Sequence, residues 1–195
     1  MKANSKLLAF TFFAVAGLLF TPAVFAHTFG AHGAGFADGL AHPFFGLDHM
    51  LAMIAVGLWA AQLGGSAMWR VPTAFVTAMA VGAILANPAM DVSWLETAIA
   101  ASVLGFGLML AFRLRLSSAL GLLVVSGFAL FHGFAHGLEI PQTASPVGYG
   151  LGFVLSTATL HISGVLLGLY LGRKQLILQA GGVAIAAAGL LMMAT

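Results

Sequence analysis

The sequence predicts an all-α polytopic membrane protein with six transmembrane helices behind a cleavable signal peptide. Of its 195 residues 61% are hydrophobic and 6% are charged, whereas about 25% are charged in an ordinary soluble domain. The apolar residues form continuous segments and do not alternate with polar residues as in the strands of a membrane barrel. A soluble fold needs more polar side chains to cover its surface, so the composition indicates a chain that lies in a lipid bilayer.

Residues 1–26 have the three parts of a secretory signal peptide. Lys2 and Lys6 form a basic start, an apolar stretch follows, and Val24-Phe25-Ala26 has the small-x-small pattern of a cleavage site. The apolar stretch of about 14 residues is short for a span, which needs about 20; an uncleaved first helix is the alternative. Cleavage after Ala26 leaves residues 27–195 as the mature domain, which then begins on the outer side of the membrane.

The mature domain contains six apolar segments, each near the length that crosses a hydrocarbon core of about 30 Å as a helix. They are residues 45–63, 71–86, 95–114, 119–134, 149–172 and 176–194. The basic residues fall in alternate connections, which contain Arg70, then Arg113 and Arg115, and finally Arg173 and Lys174. The positive-inside rule places these connections in the cytoplasm. Both termini of the mature domain are therefore expected in the periplasm, as the signal peptide also indicates.

The composition excludes several classes of function. Cysteine is absent, which removes disulfides, zinc–thiolate sites and iron–sulfur clusters. Without Lys2 and Lys6 the chain has five basic and five acidic residues and no basic patch, so no nucleic acid partner is expected. Neither the Gly-x-x-x-x-Gly-Lys-Ser/Thr nucleotide loop nor the His-Glu-x-x-His metalloprotease motif occurs. We therefore expect that the protein is not an enzyme and that it requires no cofactor.

Histidines and carboxylates concentrate at the start of the first span. Pro43 suits the first position of a helix, which predicts His42 at the helix cap. His49 follows seven residues later, so His42 and His49 are expected on nearly the same helix face, about two turns apart. Asp48 precedes His49 directly. This end of the span therefore projects imidazole and carboxylate groups together.

A second polar stripe closes the fourth span, where His132, His136 and Glu139 follow an i, i+4, i+7 spacing. His161 lies deep in the fifth span. Ionisable residues inside a span cost about 2.5–3.5 kcal/mol on insertion scales, so they face a cavity or a partner. Hydrogen bonds between helices are one explanation. The other is metal binding, because imidazole and carboxylate without thiolate suit divalent Ni, Co, Zn and Cu.

Three motifs occur in this order along the chain: His42-Pro43-x-x-Gly46-x-Asp48-His49, Phe131-His132-Gly133-x-Ala135-His136-Gly137-x-Glu139 and Thr157-Ala158-x-Leu160-His161-x-x-Gly164. Over essentially the whole chain they resemble the HupE/UreJ family of nickel/cobalt transporters. The resemblance implies a multi-pass permease that imports Ni²⁺ or Co²⁺ as its transported substrate across the inner membrane of a Gram-negative bacterium. It also implies metal-binding roles for His42, Asp48, His49, His132, His136, Glu139 and His161.

The expected partners are a divalent metal ion and the lipid bilayer, with a homo-oligomer as a further option. His27 and His32 lie in the outer segment and are candidates for the first capture of metal. Two other classes of function stay open at this point. Histidines on different helices also ligate haem in b-type electron-transfer proteins, and the same ligands occur in metal-binding accessory proteins that do not transport.

Overall fold

The computed structural model describes residues 35–90, 92–140, 144–172 and 174–194. Within these ranges all regular secondary structure is helical. The helices are α1 (Phe36–Phe45), α2 (Leu47–Leu63), α3 (Ala67–Leu85), α4 (Leu95–Ala111), α5 (Ser118–Glu139), α6 (Pro146–Leu171) and α7 (Gln175–Met192). The six predicted apolar segments correspond to α2 through α7, and the predicted signal peptide lies outside the described residues.

The described part of the chain begins with a bent pair of helices. α1 and α2 meet at Gly46 with a bend of 83°. Gly46 has φ −88° and ψ 110°, an extended conformation that interrupts the helix. α1 packs against α6, where a Cβ on Gly39 would collide with the backbone of Tyr149 and a Cβ on Gly152 with the backbone of Phe36. The absence of these side chains lets α1 lie directly on α6, at a large angle to α2.

The sequence-based prediction for the start of the first span is wrong in two respects. α1 begins at Phe36, so Pro43 lies inside a helix and His42 in its last turn, instead of at the first position and the cap of the span. His42 and His49 therefore belong to two helices and do not share one helix face. The preference of proline for helix starts is local, and here the contact of α1 with α6 outweighs it. The bend nonetheless brings the two imidazole ring centroids to 6.5 Å.

Length and apolarity qualify α3, α5, α6 and α7 as membrane spans, and the α1–α2 pair as a fifth if it crosses as one unit. α4 is also apolar but has 17 residues. Such a helix extends about 26 Å, slightly less than a hydrocarbon core of about 30 Å. Helices of this number and composition are those of a polytopic membrane protein.

The outer face of α6 carries a stripe of large apolar side chains. Leu155, Ile162, Leu166 and Leu169 are each more than half exposed. Their spacing of seven, four and three residues places them on one face of the helix. Soluble monomers rarely expose such a continuous apolar surface, so this face suits contact with lipid.

The helices pack in three close pairs: α2 with α6, α3 with α5, and α4 with α7. The Gly164-xxx-Gly168 pattern predicts such close packing, and α2 is the partner. A Cβ on Gly57 of α2 would lie 2.9 Å from the Cα of Gly164. A Cβ on Gly168 would lie 2.6 Å from the Cβ of Ala61. Glycine therefore permits the backbone contact that holds α2 against α6.

We expect Gly164→Ala to destabilise the protein by roughly 1–3 kcal/mol, because the added methyl group meets backbone atoms of Ile54 and Gly57 that cannot turn aside. Gly150→Ala, in the same helix, is the matched control, since its added Cβ enters open space. Thermal unfolding in detergent, followed by circular dichroism, measures the difference. Equal unfolding temperatures for the two variants would contradict the close contact between α2 and α6.

The charged residues are divided between the two ends of the bundle. Arg70 and Arg115 line one cavity of about 280 Å³, and Arg113 Nη1 donates to Gln175 Oε1 at 2.6 Å. α5 starts at this basic end and runs for 22 residues to Glu139. A helix of that length extends about 33 Å. The first two histidine motifs therefore gather at the end of the bundle that is opposite the arginines.

Candidate metal centre

Three side chains from α1 and α5 form a compact group, the outer cluster, which consists of His42, His136 and Glu139. One potential ligand atom of each lies within 4.8 Å of the other two. Glu139 Oε2 lies 3.1 Å from His42 Nε2 and 3.2 Å from His136 Nδ1. The i, i+3 spacing along α5 places His136 beside Glu139, and the bend before α2 brings in His42. Two imidazoles and one carboxylate are a ligand set for a divalent transition metal.

The outer cluster is buried on the side of the bundle interior and exposed at the end of the bundle. The side chain of His136 is 3% exposed, that of His42 16% and that of Glu139 36%. A cation that reaches this end of the bundle would therefore meet the carboxylate first. The negative charge of Glu139 then lies where it attracts the cation, and the imidazoles lie behind it.

Tyr149, near the start of α6, extends the hydrogen-bond network of the outer cluster. Its hydroxyl oxygen lies 2.8 Å from His42 Nδ1. In the metal-free protein an ionised Glu139 accepts only, so both imidazoles donate an N–H to it, and His42 Nδ1 then accepts from the Tyr149 hydroxyl. A metal bound between the three side chains would take the place of the two protons that face Glu139. Tyr149 was not predicted from the sequence. The signal that could have found it is a rare polar aromatic residue in an apolar helix, since the chain has two tyrosines.

Asp48 contacts the histidine that follows it. Asp48 Oδ1 lies 2.8 Å from His49 Nδ1 and accepts from the backbone N–H of His49 at 2.8 Å. A carboxylate that accepts from one ring nitrogen of a histidine fixes the tautomer and leaves the other nitrogen free for a metal. The family resemblance implies that Asp48 is a metal ligand; in the structure, Asp48 contacts His49 as a residue that orients this imidazole.

Three buried imidazoles form the inner cluster: His49 of α2 and His132 and His136 of α5. The ring centroid of His49 lies 4.8 Å from that of His132 and 4.1 Å from that of His136. Each of the three residues is less than a tenth exposed. His136 belongs to both clusters, so the imidazoles form a continuous series from the surface into the bundle.

One nitrogen of each imidazole in the inner cluster has no hydrogen-bond partner within the described part of the chain: His49 Nε2, His132 Nδ1 and His136 Nε2. The other nitrogen faces an oxygen atom, which belongs to Asp48, Ser102 and Glu139 respectively. A buried polar atom that lacks a partner costs about 1–3 kcal/mol. A metal cation can supply such a partner to an imidazole nitrogen. Among the described residues, however, only the outer cluster has three potential ligand atoms within 4.8 Å of one another.

His161 of α6 is buried apart from the two clusters. Neither of its ring nitrogens has a hydrogen-bond partner among the residues described. The Phe75 ring lies 5.0 Å from that of His161 and 5.6 Å from that of His132, centroid to centroid. His161 also lines a cavity of about 400 Å³ between α3 and α6, together with Thr73 and Thr77. It therefore offers a further nitrogen ligand beyond the inner cluster.

The structure brings together most of the residues that the sequence pointed to at one end of the bundle. They are His42, Asp48, His49, His132, His136 and Glu139. His161 adjoins them through Phe75. The predicted capture residues His27 and His32 lie outside the described residues.

The fold and the site together define a polytopic helical membrane protein that carries a histidine–carboxylate cluster at one end. Residues 14–192 match the profile of the family described as HupE / UreJ protein, and the chain belongs to this family. It is 44% identical over 162 residues to Protein HupE of Rhizobium leguminosarum bv. viciae, a match that covers 82% of this chain and 85% of that protein. No solved structure matches the chain. The resemblance of the three motifs is confirmed at the level of the family.

Proposed function

We propose that the protein is a secondary transporter that imports a divalent transition metal, nickel or cobalt, across the bacterial inner membrane. The observation that carries this proposal is the outer cluster, which combines two imidazoles with a partly exposed carboxylate at the end of an apolar helical bundle. Nitrogen and oxygen ligands without thiolate suit such borderline cations. Membership of the HupE/UreJ family supports a role related to nickel and cobalt transport.

The orientation follows from the division of charge. The arginine-containing end faces the cytoplasm by the positive-inside rule, so the outer cluster faces the periplasm. The signal peptide 1–26 is removed, and the mature domain 27–195 crosses the membrane six times with both termini outside. In this arrangement α4 and the bent α1–α2 pair each form one crossing, beside the four long helices.

The metal moves inward along a series of nitrogen ligands. His27 and His32 capture it outside, the outer cluster binds it, the inner cluster takes it over through the shared His136, and His161 is the next ligand. Sites in series allow conduction when each binds strongly enough to admit the ion and weakly enough to release it. The membrane potential favours entry of a dication by about 4.6 kcal/mol per 100 mV, twice the value for one charge.

Metal uptake into cells that lack other nickel importers tests the proposed function. Cells that produce the protein are expected to accumulate radioactive nickel faster than cells with an empty vector, and excess cobalt is expected to compete. Magnesium should not compete, because it prefers oxygen ligands. Uptake equal to that of the empty vector, with the protein present in the inner membrane, would contradict the proposal. A haem absorbance band in the purified protein would favour an electron-transfer protein instead.

A further inference from the structure

We propose that Ser102 of α4 is a positioning residue, which holds His132 in the tautomer that leaves Nδ1 free to bind metal. The statement that His132 binds metal rests on the proposed function. The statement about the tautomer of His132 rests on the geometry of the described residues alone. Neither the sequence motifs nor the family resemblance points to Ser102. It lies 30 residues from His132 in the chain and on a different helix.

Ser102 is fully buried and its hydroxyl has two neighbours. Ser102 Oγ lies 2.7 Å from the carbonyl oxygen of Ile99 and 2.7 Å from His132 Nε2. A hydroxyl has one proton to donate, and a carbonyl oxygen can only accept. When Ser102 donates to Ile99, its oxygen must accept a proton from His132 Nε2. His132 is then the Nε2–H tautomer, and its Nδ1 has a free lone pair.

The reverse arrangement leaves a buried proton without an acceptor. If the Ser102 hydroxyl donated to His132 Nε2, the ring proton would lie on Nδ1. His132 is fully buried, and its Nδ1 has no hydrogen-bond partner among the described side chains and backbone groups. A buried N–H without an acceptor loses its hydration and gains nothing in return. The first arrangement gives every proton an acceptor and is therefore the stable one.

Ser102 completes a pattern that runs through the inner cluster. Asp48 accepts from His49 Nδ1 and Glu139 from His136 Nδ1, so each of the three imidazoles keeps one free nitrogen. Ser102 differs from these two partners because it is neutral. A carboxylate partner raises the basicity of a histidine ligand, so His132 is the weakest of the three ligands. That property suits a ligand which passes the metal on toward His161.

Nitrogen-15 NMR of the histidine-labelled, metal-free protein in lipid bilayers tests the tautomer directly. The ring shifts of a neutral histidine distinguish Nε2–H from Nδ1–H, and the His132 signal is the one lost in His132→Asn. We expect His132 as Nε2–H, with the proton shifted downfield by its hydrogen bond, and we expect this downfield shift to disappear in Ser102→Ala. Ser156→Ala is the matched control, because Ser156 is equally buried and donates to the carbonyl three residues before it but has no histidine partner among the described residues.

The affinity for Ni²⁺, measured by calorimetry on the same proteins, tests the consequence. Ser102→Ala is expected to bind about 10- to 100-fold more weakly than the wild type, as removal of such a partner does at other metal sites, and Ser156→Ala to bind as the wild type does. His132 as Nδ1–H, or an unchanged His132 signal in Ser102→Ala, would overturn the inference. A lost downfield shift with unchanged nickel affinity would overturn the positioning role. Because the NMR measurement uses no metal, its outcome is independent of whether the protein transports nickel.

Discussion

Glu139→Gln is expected to lower the affinity for nickel by about 10- to 100-fold and to abolish uptake. Glu139 Oε2 faces His42 Nε2 and His136 Nδ1, so one carboxylate supplies both the negative charge of the outer cluster and the acceptor for two imidazoles. The amide oxygen of glutamine can still accept from the imidazoles, but the side chain is neutral, so the negative charge that attracts and binds the cation is lost. Calorimetry on the purified protein and nickel uptake in cells measure the two effects.

Asp38→Asn is the matched control for the removal of a carboxylate. Asp38 lies in the first turn of α1 and accepts from the backbone N–H of Gly35 at 3.1 Å, a contact that the asparagine oxygen can also make. We expect nickel uptake within about twofold of the wild type. Equal uptake by Glu139→Gln and Asp38→Asn would contradict the role of the outer cluster.

His136→Asn is expected to have the second large effect, which is loss of measurable nickel binding and uptake. His136 is shared by the two clusters: Nδ1 faces Glu139, and the ring lies 4.1 Å from that of His49. Its replacement therefore removes a ligand from the outer and the inner cluster at once. Equilibrium dialysis with nickel, on protein shown by circular dichroism to be folded, measures the loss.

His42→Asn separates the two clusters. His42 belongs to the outer cluster, and its ring centroid is 6.5 Å from that of His49, farther than the rings within the inner cluster. We expect this variant to keep nickel binding at the inner cluster but to import nickel more slowly, since the first ligands that the ion meets are incomplete. If His136→Asn and His42→Asn bind nickel equally well, this result would contradict the membership of His136 in both clusters.

The helical architecture was largely predictable, because long apolar segments are a strong local signal. α5, α6 and α7 each lie within a few residues of a predicted segment. The first span was not predictable in detail. Pro43 indicates a helix start, but the contact of Gly39 in α1 with the backbone of Tyr149 in α6 joins residues more than a hundred positions apart. Local preferences cannot anticipate a helix that tertiary packing stabilises.

The site was predictable to a similar degree. The spacing of His136 and Glu139 along α5 predicted that their side chains are neighbours, because both residues lie on one helix. The partners that orient the imidazoles were not found. Tyr149 is 107 residues from His42, and Ser102 is 30 residues from His132. Serine and tyrosine in an apolar helix carry no spacing signal of their own, so their roles emerge only when α4 and α6 are placed beside the histidines.

Nickel flux into proteoliposomes tests whether the metal crosses the membrane by way of the outer cluster. The purified protein is reconstituted with a nickel-sensitive fluorophore inside, and an inside-negative potential is imposed. We predict entry of nickel that increases with the potential, is absent from protein-free liposomes and is lost with Glu139→Gln but retained with Asp38→Asn. Flux through the wild-type protein no faster than through protein-free liposomes, or undiminished flux with Glu139→Gln, would contradict a metal path through the outer cluster.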